Sequence, residues 1–153
     1  MFKVADFKKI RQDGKTIPED MGASEMISLG WEPCKVIEAI WKWGEQTCQL
    51  ICPHGLLALV VANRQYVVSL EDDEKGISRL FINSGDGVRR REISGTVDIN
   101  GRIRAGKYLW FEKDFAMPES AFCVVFEALD DSAMHYLFID ANTGDLLKAQ
   151  YFR

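Results

Sequence analysis

The sequence predicts a mainly β fold: an antiparallel meander forming a sandwich or barrel, with one or two short helices near the N-terminus. Three observations predict it. From residue 34 onward the chain is a series of short apolar runs closed by turn residues. The separators Pro53-His54-Gly55, Asp72 to Gly76, Ser84-Gly85-Asp86, Asn100-Gly101 and Asn142-Thr143-Gly144 all carry turn chemistry. The third observation is a weak two-fold internal repeat at an offset of 57 residues. Sliding 67–87 onto 124–144 superposes Val67-Val68 on Val124-Val125, Asp73 on Asp130, Leu80-Phe81-Ile82 on Leu137-Phe138-Ile139, and Gly87 on Gly144. Both copies, near 65–94 and 121–151, read strand, acidic loop, strand, glycine turn, strand.

The elements follow in order. Residues 1–33 are punctuated by Gly14, Pro18, Gly22, Gly30 and Pro33, and read as an arm or cap packed on a β body of residues 34–153, within one domain spanning 1–153. Pro18 to Leu29 is a weak helical candidate, because Met21, Glu25, Ile27 and Leu29 give only partial amphipathic spacing. Residues 35–43 read as a strand, with a helix between Pro33 and Gly44 as the alternative. Strands then follow at 46–52, 56–62, 65–70, 77–83, 87–94, 106–112, 121–128, 134–140 and 146–151. Trp41 and Trp43 share a strand face, and Trp110 alternates with Tyr108 and Glu112, opposite Leu109 and Phe111. These aromatics read as core; on an outer face a Trp pair would be a binding hot spot.

At 153 residues the chain is long enough to bury a core without disulfides or metals. A net charge of -4 weighs against bulk affinity for nucleic acid and leaves room for a basic partner. The longest apolar run, Leu56 to Ala62, is too short for a membrane-spanning helix. Lys3, Asp6, Lys8, Lys9 and Arg11 interrupt the start where a signal peptide needs an apolar stretch, so the N-terminus reads as the mature one and the chain as cytoplasmic. Its four cysteines are then expected to be reduced thiols. Cys34, Cys48, Cys52 and His54 are the only cluster resembling a metal site. On a strand, however, Cys48 and Cys52 are about 13 Å apart, whereas thiolates on one zinc lie within about 4 Å. No metal or cofactor is expected, and Cys48, Leu50 and Cys52 read as one face of a core strand.

Catalytic chemistry is almost absent from the sequence. Neither His54 nor His135 lies in a reactive motif, and there is no Gly-x-Ser-x-Gly elbow, phosphate loop, dinucleotide fingerprint or His-Glu-x-x-His helix. Ser84-Gly85-Asp86-Gly87 opens a strand rather than a helix, so it lacks the dipole that holds a phosphate.

Charge patterning says more. Glu71, Asp72, Asp73 and Glu74 fill the loop of the first copy, and Asp130 and Asp131 fill the corresponding loop of the second. These six residues are the expected partner-binding surface for a basic protein. The alternative patch is arginine-rich: Arg89 and Arg91 on one face of their strand, then Arg102 and Arg104, with Lys107 beyond. If the two segments paired, the four arginines would suit phosphate or carboxylate ligands. The profile, small and acidic and without catalytic machinery, is similar to that of immunity proteins. The expectation is a non-enzymatic protein-binding domain, within that class a cytosolic immunity or inhibitor protein that neutralises a basic toxin. The competing readings are nucleic-acid or phosphate binding through Arg89 to Lys107, and a small β-fold enzyme.

Overall fold

A computed structural model describes residues 1–152. The fold is mainly β, 56% strand against 4% helix, as the sequence predicts. The strands are β1 (Val4–Arg11), β2 (Thr16–Pro18), β3 (Val36–Trp43), β4 (Gln46–Ile51), β5 (Leu56–Val60), β6 (Tyr66–Asp72), β7 (Ser78–Ser84), β8 (Arg89–Ile93), β9 (Thr96–Ile99), β10 (Arg102–Glu112), β11 (Ala121–Ala128), β12 (Met134–Asp140) and β13 (Leu146–Tyr151). The helix α1 spans Ala23–Ser28, shorter than the 18–29 segment read from the sequence. They form three antiparallel sheets, ordered β2-β1-β3-β4, β5-β6-β7-β8 and β13-β12-β11-β10-β9, with a curled half-barrel.

The middle sheet carries a core on each face. Val68, Leu70, Leu80 and Ile82 face the third sheet's Tyr108, Phe122, Val124, Phe126, Leu137 and Ile139 in the larger core. On its other side Leu56 and Val67 meet Val4, Phe7, Ala39, Trp41, Cys48 and Cys52 of the first sheet and the turn after it. Alternation along β6 produces this directly, since adjacent Val67 and Val68 point to opposite faces. Residues 35–43 resolve as strand rather than helix because Ala39 and Trp41 alternate inward and pair with Leu50 and Cys48.

Residues 1–33 contribute β1, β2 and α1, and β1 lies between β2 and β3, hydrogen-bonded on both sides. The sequence hides this strand. A bulge between Ala5 and Lys8, with Asp6 at φ 51, puts Val4 and Phe7 on the same side at a spacing of three, so the period of two is lost. A second bulge, between Tyr108 and Trp110, corrects the reading of β10. Tyr108 and Phe111 both face the larger core, whereas Trp110 turns outward against Phe152 at 6.1 Å.

The repeat corresponds to two successive meanders, β6-β7-β8 and β11-β12-β13. Both third strands are bulged, leaving Arg90 and Leu147 without a cross-strand partner. Leu80 and Ile82 pair with Leu70 and Val68, while Leu137 and Ile139 pair with Val124 and Phe122. The spatial offset is thus 57 for the second strand (80 to 137) but 54 for the first (70 to 124). Three is odd, so the gapless slide sets Val67 of the smaller core on Val124 of the larger one.

Candidate functional site

The acidic surface is built at two hairpin tips. At the first, Glu71 and Asp72 end β6 and are tied down. Glu71 accepts hydrogen bonds from Ser69 at 2.8 Å and from the Arg89 guanidinium, which also lies 3.7 Å above the Phe81 ring. Ser69 in turn meets Asn83, a buried amide that donates to Val67 O at 3.0 Å. Asp72 accepts from the Ser78 hydroxyl, and its carbonyl accepts from the Cys52 thiol at 3.2 Å. Asp73 shapes the turn: its Oδ1 accepts from the backbone N–H groups of Lys75 at 2.8 Å and Ile77 at 3.0 Å, and the Ile77 bond is the main reason its pKa is lowered. Glu74 is exposed and has no ion pair or side-chain hydrogen bond among the described residues.

The second tip is internally neutralised. Arg104, buried on β10, donates to Asp130 at 2.8 Å and to Asp131 at 2.5 Å, and Arg102 donates to the other Asp130 oxygen at 2.9 Å. The backbone N–H of Ala133 adds a 2.9 Å bond to Asp131. These contacts, Arg104 first, hold the Asp131 carboxyl at about 2, below the ordinary 3.8, and Asp13 is brought to about 2 chiefly by Arg11. A carboxylate depressed in the folded state stabilises it fully above the unfolded pKa and loses that contribution as pH falls through the folded pKa. Stability should therefore decline between about pH 4 and pH 2. Asp13→Asn/Asp131→Asn should flatten that decline in urea titrations at several pH values, while an unchanged slope would reject these two groups as its source.

Beside Arg104, His135 is buried, stacked on Tyr151 at 4.7 Å, and its pKa is lowered by burial and then by the Arg104 charge. The four arginines of the alternative patch do not converge, because β8 pairs with β7 while β9 and β10 belong to the third sheet. Arg89 is held by Glu71, and Arg102 and Arg104 by the second acidic tip. Lys107 pairs with Glu127 at 3.5 Å. Arg91 has no carboxylate partner among the described residues; it contacts Asn142 O at 3.4 Å and lines two open grooves of about 330 and 410 Å3.

No protein-family model and no curated protein matches the chain. A solved structure does. One chain of the structure of Tne2 in complex with Tni2 superposes with a TM-score of 0.93 at 41% identity, over 98% of this chain and 99% of that chain. The chain belongs to the same family as that protein. The match takes in almost the whole length of both, so what this family shares is the complete fold rather than one local motif.

Cys48 and Cys52 lie four residues apart along one extended run, as the strand spacing requires. Cys48 and Cys52 both face the smaller core, and burial pushes the Cys48 thiol up. Cys123 is buried on the third sheet, its thiol pushed up to about 12 by burial and by Glu112. Among the described residues no three His, Cys, Asp or Glu side chains cluster as metal ligands, and no helix is long and apolar enough to cross a membrane.

One exposed segment escaped the sequence reading. Within the 1–33 arm, α1 has no buried residue, and Ile27 and Leu29 are 74% and 55% exposed. The available signals were the imperfect amphipathic spacing and the lack of any Lys or Arg between Lys15 and Lys35, a stretch holding Glu19, Asp20, Glu25 and Glu32.

Proposed function

We propose that this chain is a non-enzymatic, cytosolic immunity or inhibitor protein that neutralises a basic toxin by binding it. The observation that carries the reading is the near end-to-end likeness to one chain of a solved two-protein complex. The net charge of -4 adds electrostatic attraction for a cationic partner. On this reading the Glu71, Asp72, Asp73, Glu74 tip steers the partner more strongly than Asp130 and Asp131, whose charges are offset by Arg102 and Arg104. The same offset argues against the arginines as a phosphate or nucleic-acid surface.

The test begins with tagged chain as bait in a lysate of its own host, with Tne2 and Tni2 added separately as purified candidates. A stoichiometric basic protein that re-forms the complex after purification is expected. A chain that holds no protein partner, or that turns over a substrate alone, would overturn the proposal. With that partner, Asp73→Asn/Glu74→Gln should slow association about tenfold at low salt and flatten its salt dependence, since rim charges act mainly on the association rate. Asn at position 73 keeps the turn's acceptor oxygen. Asp130→Asn/Asp131→Asn should change the rate less. Equal rates for wild type and both variants would remove the acidic tips from the interface.

A further inference from the structure

From its place between two tethers, we propose that the segment from Glu19 to Glu32 is a preformed docking knob whose apolar tip, Ile27 and Leu29, inserts into an apolar cleft with a basic rim on the protein partner. The inference rests on the partner-binding reading above, and names a contact surface separate from the acidic tips.

Isolated helices this short are marginal in water, and helices in proteins are held mainly by burying an apolar face. The helix α1 has six residues, none buried, and makes no substantial contact with any strand. It is held instead by its ends. Trp31 N donates to Met26 O at 3.1 Å and Gly30 N to Ile27 O at 2.9 Å, with Gly30 at φ +75, the pattern of a glycine-terminated helix. The Trp31 ring is then pinned under two cations, Arg11 at 5.1 Å and Lys15 at 5.9 Å.

The whole segment is clamped to the sheets at both ends. Arg64 makes a bidentate pair with Glu19 at 2.8 and 2.9 Å, and the buried Arg11 donates to Glu32 O at 2.6 Å. Two clamps and a pinned tryptophan hold a segment in which Met21, Met26 and Trp31 are half-buried and no residue is fully buried. An anchor held in its bound shape loses less entropy on binding. The charge identifies the occupant. Asp20, Glu25 and Glu32 carry no ion pair among the described residues and flank the exposed Ile27 and Leu29 along the segment, so the complementary surface is apolar at its centre and cationic at its rim.

The probe is the stoichiometric partner purified with the full chain. Ile27→Asp/Leu29→Asp should weaken binding at least about thirty-fold, as loss of a central apolar anchor does. Its circular dichroism and melting temperature should stay those of the wild type, because neither side chain is buried. The conservative pair Ile27→Leu/Leu29→Met should restore affinity. Asp20→Asn/Glu25→Gln/Glu32→Gln should slow association and flatten its salt dependence. Unchanged affinity in the Asp pair, with the partner still bound, would overturn this inference and leave the partner-binding reading standing. Failure of the wild-type chain to hold any partner would remove both. A wild-type homodimer that the Asp pair converts to monomer would overturn it by assigning the knob to a second copy of the chain.

Discussion

Trp41→Ala should destabilise the protein by about 3–5 kcal/mol, the usual cost of removing a large buried aromatic. Trp41 is fully buried in the smaller core, packs against Phe7 at 6.2 Å, and donates its indole N–H to Gly85 O at 2.7 Å. It therefore holds the first sheet to the β7–β8 turn of the middle sheet by both apolar contact and a buried hydrogen bond. Trp41→Phe keeps most of the apolar contact and leaves Gly85 O with only the Cys48 thiol, a weak donor at 3.6 Å, which should cost about 1–3 kcal/mol. Urea unfolding of the three proteins gives the order. Equal stability of Trp41→Ala and wild type would mean that the first sheet does not depend on this core.

The second large effect lies in the third sheet. A Cβ at Gly106 would come within 2.4 Å of both Glu127 O and the Phe126 ring. The ring can shift, but the carbonyl belongs to the paired strand β11, where Gly106 faces Ala128. Gly106 does not have a positive φ, so the clash arises from close approach rather than backbone strain. Gly106→Ala should cost about 1–3 kcal/mol through overpacking, reversing the about 0.4–1 kcal/mol gain of an unhindered Gly→Ala change. Adding Phe126→Leu should recover only the part due to the ring, since the carbonyl remains. A Gly106→Ala variant as stable as the wild type would show that β10 and β11 can part without cost.

The two acidic tips show why charge in a sequence differs from charge on a surface. Arg104 and Asp131 are 27 residues apart, and Arg89 and Glu71 are 18 apart. Read along the chain they form an acidic surface and a basic one in competition. In the fold they are substantially each other's partners. At the first tip Asp73 and Glu74 carry no ion pair among the described residues, and the acidic flank of α1 adds a charged surface without basic residues of its own.

By itself, the sequence determined the fold class, the positions of β11, β12 and β13 to the residue, most other strands to within a few residues, and the glycine and asparagine turns between them. Those are local properties. Alternation is set by the pleat, and turns such as Asn100-Gly101, both with positive φ, by the conformations that few residues adopt. Only the tertiary structure decided what depends on register and on which strands meet. The bulges at Asp6 and near Leu109 concealed β1 and reversed Trp110, because one extra residue inverts every later side chain. The pairing of the arginines with the acidic tips required knowing that β8 joins β7 while β9 and β10 join β11. Whether Ile27 and Leu29 were core or surface turned on how little α1 touches the strands, and no periodicity within a short helix encodes that.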